Sequence, residues 1–347
     1  MQFDLTVDEL YKFRSPATEP EDFDEFWATT LAKAAEHPLG ARFTPVPTRL
    51  STIEVYDVVF GGYGGQPIAA WLMIPAGAAG RLPAIVEYQG YTGGRGMPHE
   101  SLFWSAAGYA HLMVDCRGQV GADTPDLGGS GAPQSSGLVT RGIDDPRTYY
   151  YRRVFTDAVR AVDAVRCFER VDADRVLAVG GSQGGGIALA VAGLRADLAG
   201  LISDAPFLCD IMRSVTMTDD APYSEIREYL RVKRDRVDAV RRTVGYHDGV
   251  HFAARGSAPA MFSVGLMDSV CPPSSVFAAH NAYPAAKRMK TWPFNGHENG
   301  LGYLRELHLE FAAEVTGAVN AGPDAVDVGP GPAVATSHAG AHEAVVR

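Results

Sequence analysis

Ser182 stands in a pattern that suits nucleophilic catalysis. Residues 180–184 read Gly-Gly-Ser-Gln-Gly and fit G-x-S-x-G, between the apolar run 175–179 and the small, apolar run 187–194. This context predicts a sharp strand-to-helix turn, in which glycines two positions either side of the serine avoid a Cβ clash. We predict Ser182 as the nucleophile and the backbone N–H of Gln183, at the helix N-terminus, as a donor to an oxyanion. A glycine-rich turn that only packs a helix on a sheet is the structural alternative.

A serine hydroxyl needs a histidine base, which in turn needs an acid to orient it. After such a turn the chain order is serine, acid, histidine, each in a loop at the C-terminal edge of the sheet. His297 follows the last strand-like run in a glycine-flanked loop, so we predict it as the base. Asp268 follows the preceding strand-like run and is the favoured acid, whereas Asp204, one strand earlier, is the alternative. Asp115 also ends a strand but precedes the serine, so we expect a structural carboxylate there.

The second donor to the oxyanion should come from the loop after an early strand. The apolar run 84–88 is followed by Gln-Gly-Tyr-Thr-Gly-Gly at residues 89–94. Its glycines allow the backbone to approach a substrate closely. We therefore predict the backbone N–H of Tyr91 as this donor.

The strands and helices that must position these loops alternate along the chain. Residues 53–74 predict a β-hairpin with a glycine-rich turn at 61–65. After it, short apolar runs bounded by turn residues alternate with longer helical stretches, which predicts an α/β fold with a mainly parallel sheet and helices on both faces. The later strand-like runs are 84–88, 110–114, 175–179, 198–202, 260–264 and 288–294.

An arm and a tail flank the main α/β domain, which we assign to residues 51–316. Residues 1–50 predict a helical arm, because the spacing of apolar side chains from Phe23 to Leu31 places them on one face of a helix. Residues 317–347 consist mainly of Ala, Gly, Pro and Val, and we predict a disordered tail.

Within the main domain, the alternation stops at about residues 205–255, where we predict a helical insertion. Its Arg and Lys residues are interleaved with acids and indicate a solvated or subunit-facing surface. Its position between two strands also suits a lid over a pocket. His247 and His251 lie in this insertion and could line a pocket, but we expect them at the surface.

The composition limits the classes of partner. The chain has 347 residues, 46% hydrophobic and 21% charged, which indicates a large core and excludes disorder over the whole length. Lys+Arg 31 against Asp+Glu 41 gives a net charge of −10, so we expect neither nucleic acid nor membrane as a partner. The four cysteines form no CxxC pair, so we expect neither a disulfide framework nor a zinc site. The first residues lack the features of a signal peptide, so we expect a soluble, cytoplasmic protein.

Three short motifs together resemble the signature of carbohydrate esterase family 7, the acetyl xylan esterase and cephalosporin C deacetylase family. They are Arg117-Gly118-Gln119, the serine motif at 180–184 and His297-Glu298. The resemblance runs from the N-terminal arm to about residue 316 and includes residues 20–27, 206–209 and 265–268.

The resemblance implies an α/β-hydrolase fold and a serine esterase that removes acetyl groups from acetylated xylo-oligosaccharides, other sugars and cephalosporin C. It implies no metal and no cofactor. Because family members typically form a ring-like hexamer, a trimer of dimers, we expect a homo-oligomer. Carried over by position, the triad is Ser182, Asp268 and His297, the oxyanion donors are the N–H groups of Tyr91 and Gln183, and the supporting residues are Arg117 and Gln119.

Three other functions remain open. A peptidase of the prolyl-oligopeptidase type shares the triad order, but it normally carries a large N-terminal propeller that a fifty-residue helical arm cannot supply. A hydrolase of another small ester or lactone would use the same triad. A non-catalytic binding or scaffold protein with a hydrolase fold would have no reason to keep all three triad residues.

Overall fold

The N-terminal arm packs onto the helical insertion through an aromatic helix face. In the computed structural model, which describes residues 2–127 and 136–318, α1 spans Val7–Lys12 and α2 spans Phe23–Ala35. Phe23 and Trp27 are buried on one face of α2, as the spacing of the apolar side chains predicts. The Trp27 indole donates a hydrogen bond to the backbone oxygen of Tyr246, 2.8 Å away, and so ties the arm to the insertion.

Within the described residues, one sheet of nine strands forms the centre of the protein, in the order β1-β2-β3-β5-β4-β6-β7-β8-β9. Strand β1 is antiparallel to β2, β2 to β3, and β3 to β5. The remaining strands, in the sheet order β5-β4-β6-β7-β8-β9, are all parallel to their neighbours. The bounds are β1 Arg42–Pro45, β2 Ile53–Gly61, β3 Pro67–Pro75, β4 Leu82–Tyr88, β5 Ala110–Val114, β6 Val171–Gly181, β7 Gly200–Asp204, β8 Ala260–Gly265 and β9 Lys287–Trp292. The predicted hairpin and all six later strands are present.

Strand β1 is an element that the apolar pattern does not predict. It lies at the edge of the sheet and pairs only with β2, from Arg42 opposite Val59 to Pro45 opposite Tyr56. Three of its four residues are exposed. A short edge strand of this kind needs no buried face, so its sequence carries little periodicity.

Helices cover both faces of the sheet, as predicted. Side chains alternate along each strand. On one face Ile85, Leu177 and Ile202 pack with Trp104 and Phe311, from α3 (Phe103–Ala106) and α11 (Leu301–Thr316). The opposite face packs against α4 (Tyr150–Arg166), α5 (Gln183–Leu194) and α10 (Pro273–Ala282).

The insertion between β7 and β8 is helical, as predicted. It contains α6 (Ile211–Met217), α7 (Tyr223–Val232), α8 (Val237–Gly245) and α9 (Gly249–Ala253). The basic side chains at positions 231, 233, 234, 236, 241 and 242 are exposed on the chain, which is compatible with either a solvated or a subunit-facing surface.

The prediction that His247 and His251 lie at the surface is wrong. His247 is fully buried among aromatic rings that include Trp27 and Tyr149. His251 is 5% exposed and lies 3.6 Å from a Glu19 carboxylate oxygen. The arm supplies much of this cover, so the insertion sequence alone does not indicate it.

Two further predictions concern the ends and the environment of the chain. From residue 319 onward, the predicted tail lies outside the described residues. Among the helices of the described ranges, none is both long enough and apolar enough to cross a bilayer.

Candidate active site

The serine at position 182 occupies a strained turn between β6 and α5. Its φ of 56° and ψ of −123° lie in a region that non-glycine residues rarely adopt. A Cβ at Gly184 would lie 2.1 Å from the backbone oxygen of Tyr88, and one at Gly180 would lie 2.3 Å from the backbone of Gly184. The Ser182 N–H donates to the backbone oxygen of Asp204 at 2.8 Å. The turn therefore needs both motif glycines, and neighbouring strand ends hold it in place.

Ser182, His297 and Asp268 form one hydrogen-bonded chain. The Ser182 Oγ lies 2.9 Å from His297 Nε2, and His297 Nδ1 lies 2.8 Å from Asp268 Oδ2. The other carboxylate oxygen of Asp268 accepts hydrogen bonds from the N–H groups of Val270 and Cys271, each at 2.9 Å. Asp268 is fully buried, whereas His297 is partly exposed. The geometry suits proton transfer from the serine to a histidine of fixed orientation.

The other two carboxylates considered from the sequence lie away from His297. Asp204 Oδ2 is 2.9 Å from His308 Nε2, and its Oδ1 accepts a hydrogen bond from the Ser263 hydroxyl at 2.6 Å. Asp115 accepts hydrogen bonds from the N–H groups of Arg95 and Thr124, at 3.0 and 2.7 Å. Asp204 therefore orients a different histidine, and Asp115 has the structural role expected for it.

The Gln183 side chain holds the loop that follows β4. Its Nε2 donates to the backbone oxygens of Gln89 and Gly90, at 3.1 and 3.2 Å. Its Oε1 accepts a hydrogen bond from the Tyr151 hydroxyl at 2.9 Å, and the residue is fully buried. The residue next to Gly90 is Tyr91, the second predicted oxyanion donor. The Gln183 side chain therefore connects the N-terminus of α5 to the loop that contains Tyr91. The sequence predicted a role only for the backbone N–H of Gln183.

The Tyr91 side chain is fixed by Glu225, from helix α7 of the insertion. Glu225 Oε2 accepts hydrogen bonds from the Tyr91 hydroxyl at 2.7 Å and from the N–H of Gly137 at 2.8 Å. The Tyr91 hydroxyl accepts one from the N–H of Val139 at 3.1 Å. Burial, together with the Glu225 carboxylate, raises the pKa of this hydroxyl well above its usual range. Glu225 could not be predicted from the sequence, because no local pattern around Tyr91 indicates a contact with a residue 134 positions away along the chain.

Arg117 and Gln119 lie buried beneath the site and do not reach its reacting atoms. Arg117 makes a two-pronged ion pair with Asp157, at 2.5 and 2.8 Å. The Gln119 Nε2 lies 2.8 Å from the sulfur of Cys116, which is 3.7 Å from Gln183 Nε2. These contacts place both residues where side chains can brace the strand ends, in line with the supporting role that the resemblance implies.

The loop that carries His297 is held by the neighbouring Glu298. The Glu298 carboxylate accepts hydrogen bonds from the N–H of Gly296 at 3.1 Å and from the Asn295 side chain at 3.0 Å. Its own backbone N–H, Asn295 and Gly296 together lower the pKa of Glu298. The second residue of the His-Glu motif therefore stabilises the loop, while the first faces Ser182.

A cleft of about 500 Å³ adjoins Ser182 and His297. Its walls come from the ends of β4, β6 and β7, the His297 loop and helix α11. Within the described residues, no group of three or more His, Cys, Asp or Glu side chains is arranged to hold a metal ion.

A family model connects this geometry to known proteins. Residues 1–315 match the model of the acetyl xylan esterase (AXE1) family. The chain is also 27% identical over 288 residues to the acetyl esterase Axe7A of Xylanibacter ruminicola. That alignment covers 80% of this chain and 63% of Axe7A, so the chain spans less than two thirds of that relative's length.

Solved structures resemble the whole fold. An acetyl xylan esterase from Paenibacillus sp. R4 is 39% identical with a TM-score of 0.84, and the match covers 89% of this chain and 99% of that one. Acetyl xylan esterase 1 from Thermoanaerobacterium sp. JW/SL YS485 is 34% identical with a TM-score of 0.83, over 90% and 99% of the two chains.

More distant structures agree on the fold alone. A prolyl endopeptidase matches at 17% identity with a TM-score of 0.56, over 79% of this chain and 40% of that one. The predicted α/β-hydrolase fold is therefore confirmed, and so is the resemblance on which it rested. The chain belongs to the acetyl xylan esterase family.

Proposed function

We propose that this protein is a serine esterase that removes acetyl groups from acetylated xylo-oligosaccharides and other sugars, and from cephalosporin C. The observation that carries the proposal is the hydrogen-bonded chain from Ser182 through His297 to Asp268, with distances of 2.9 and 2.8 Å. Membership of the acetyl xylan esterase family supports the choice of an acetyl ester as substrate.

The reaction proceeds through an acyl-enzyme on Ser182. The Ser182 oxygen attacks the acetyl carbonyl carbon while its proton passes to His297 Nε2. His297 then gives that proton to the departing sugar oxygen, and the acetyl group stays on the serine. Water, deprotonated by His297, attacks the acetyl-serine and releases acetate. Asp268 holds His297 in the required orientation and stabilises the imidazolium that forms.

The negative charge that develops on the carbonyl oxygen is bound by two backbone N–H groups, those of Tyr91 and Gln183. The clamp from the Gln183 side chain to the backbone oxygens of Gln89 and Gly90 supports this assignment, because it fixes one donor segment relative to the other. Preorganised donors of this kind cost no reorganisation when the charge appears.

Acetate release tests the proposal. The substrates are an acetylated xylo-oligosaccharide, cephalosporin C and an aryl acetate, given to the wild type, Ser182→Ala and Ser257→Ala. Ser257 is an exposed serine outside the site, so its variant controls for the substitution itself. We expect release by the wild type and by Ser257→Ala, and a fall on the order of 10⁶ in Ser182→Ala.

The other outcomes separate the alternatives. Turnover of the aryl acetate alone, still dependent on Ser182, would retain the triad and point to a hydrolase of another small ester or lactone. If the wild type released no acetate from any of the three substrates, this would favour a non-catalytic binding protein with a hydrolase fold.

We further propose that the protein is cytoplasmic and forms a homo-oligomer, a hexamer built as a trimer of dimers. Both proposals come from the sequence and from the family resemblance. Sedimentation equilibrium tests the assembly: a mass near that of one 37.1 kDa chain would contradict it.

A further inference from the structure

The apolar face of the sheet becomes polar where it reaches the nucleophile. On the face covered by α11, Ile85 of β4, Ile202 of β7 and Met261 of β8 belong to the buried apolar cluster. Two residues further along the same strands, and so on the same face, lie Glu87, Asp204 and Ser263. Between β4 and β7 runs β6, in which Val179 is opposite Glu87 and Gly181 is opposite Asp204. Carboxylates therefore flank the strand end that leads into Ser182.

Glu87 and Asp204 line the cleft beside the triad. We call this cleft the α11 cleft. Its lining includes Glu87, Asp204, Asn299, Arg305 and His308, and it is bounded on one side by Ser182 and His297. Gly181 contributes no side chain, which leaves this space open. The volume of about 500 Å³ lies within the range of about 300–1,000 Å³ of small-molecule sites.

Two carboxylate–imidazole pairs support the cleft, and three of their four members, Glu87, Asp204 and His308, line it. Glu87 Oε2 lies 2.9 Å from His111 Nε2, and Asp204 Oδ2 lies 2.9 Å from His308 Nε2. His111 and His308 are 1% and 3% exposed. Because each histidine is buried and held by a carboxylate, the positions of the four polar groups are fixed before any ligand binds.

The hydrogen-bond donors and acceptors of the cleft lining indicate which kind of ligand can bind there. Carboxylates accept hydrogen bonds, the Arg305 guanidinium donates them, and an imidazole or an amide does either. A hydroxyl both donates and accepts. A neutral ligand with several hydroxyl groups therefore matches the cleft.

We propose that the α11 cleft is the subsite for the sugar that carries the acetyl group, and that it binds this sugar through its free hydroxyls. The inference rests on the proposed function, because it assigns the alcohol side of the same ester. His297, which protonates the departing oxygen, stands at the boundary between the cleft and Ser182. An alcohol seated there has its oxygen beside the proton donor.

The test uses a ligand that cannot react. A deacetylated xylo-oligosaccharide is added as a competitive inhibitor of aryl acetate hydrolysis, and its inhibition constant is measured for the wild type, Arg305→Ala and Glu87→Gln. The matched controls are Arg234→Ala and Glu310→Gln, exposed residues outside the cleft lining. Arg305 is exposed, so its truncation leaves the fold intact even if Glu87→Gln does not.

We expect the inhibition constant to rise about tenfold in Arg305→Ala and in Glu87→Gln, and to stay within twofold of the wild type in both controls. For the acetylated oligosaccharide, the same two variants should raise KM more than they lower kcat. Equal inhibition constants in all five proteins, or no inhibition of the wild type, would overturn the subsite.

Failure of the proposed function would be visible separately. A wild type that hydrolyses the aryl acetate but releases no acetate from the oligosaccharide contradicts the proposed deacetylase. Because the inhibition measurement needs only hydrolysis of the aryl acetate and no deacetylation of a sugar, it still decides whether the cleft binds a polyhydroxylated ligand.

Discussion

The Gln183 side chain offers a sharp test of how the oxyanion donors are positioned. Gln183→Ala keeps the backbone N–H at position 183 but removes the hydrogen bonds to the backbone oxygens of Gln89 and Gly90, at 3.1 and 3.2 Å. It also removes the acceptor of the Tyr151 hydroxyl at 2.9 Å. The Gln89 backbone oxygen and the Tyr151 hydroxyl then lose their hydrogen bonds, whereas the Gly90 oxygen still accepts one from the N–H of Gly93 at 3.1 Å. At about 1–3 kcal/mol for each of the two groups, we expect the free energy of unfolding to fall by at least about 2 kcal/mol.

The expected effect on catalysis exceeds the effect on binding. Without the clamp, the loop with Tyr91 is no longer held against the N-terminus of α5, and one donor to the developing charge is misplaced. Loss of one such donor typically lowers the rate by about 10²–10³. We expect kcat for an aryl acetate to fall about 10²-fold, with a much smaller change in KM, because the charge develops only in the transition state.

Gln119→Ala is the matched control. Gln119 is the same residue type and is equally buried, and its Nε2 contacts the Cys116 sulfur and the Tyr150 hydroxyl rather than the Gln89–Gly90 backbone. We expect a comparable loss of unfolding free energy and a loss of kcat at least tenfold smaller, measured well below the melting temperature. Equal losses of kcat in both variants, or wild-type kcat in Gln183→Ala, would refute the role of the clamp.

Three further predictions follow from distances and burial. Asp268→Asn should lower kcat by about 10⁴ and Asp204→Asn far less, and the reverse order in steady-state rates would make Asp204 the triad acid. Gly184→Ala should abolish folding or activity, because its Cβ would lie 2.1 Å from a backbone oxygen, whereas Gly181→Ala, 3.9 Å from its nearest neighbour, should keep the wild-type melting temperature within a few degrees. Burial lowers the pKa of His247 to about 3, so between pH 7 and pH 5 the unfolded chain takes up a proton that the folded one does not. This should remove about 2 kcal/mol of unfolding free energy, and denaturant titrations of His247→Gln at the two pH values should lack that difference.

The triad could be predicted from the sequence because its geometry follows from topology. In a parallel sheet all strands end at the same edge, so residues directly after β6, β8 and β9 must lie close together. Ser182, Asp268 and His297 each occupy such a position, and the structure brings them within hydrogen-bonding distance. Chain order and strand ends favoured these three positions but left Asp204 as the alternative acid, and only the structure shows that Asp268 meets His297 while Asp204 meets His308.

The groups that hold the site in place could not be predicted in this way. Glu225 reaches Tyr91 from a helix of the insertion, and Tyr151 reaches Gln183 from α4. Such contacts depend on how separate helices pack on the sheet, and local periodicity carries no information about that. His247 shows the same limit, since the sequence of the insertion alone does not indicate that aromatic residues of the arm bury it.

The carboxylates at the strand ends, Glu87 and Asp204, could be predicted only in part. Each of them follows an apolar residue at a spacing of two: Ile85 and Glu87, Ile202 and Asp204. That change is visible in the sequence, but it becomes meaningful only when the strand order places β4 and β7 on either side of β6. A carboxylate at the end of a buried strand is costly unless it meets a partner. Two of them beside one nucleophile therefore indicate an edge suited to polar atoms. Within the described residues, Glu87 pairs with His111, and Asp204 pairs with His308 and with the Ser263 hydroxyl.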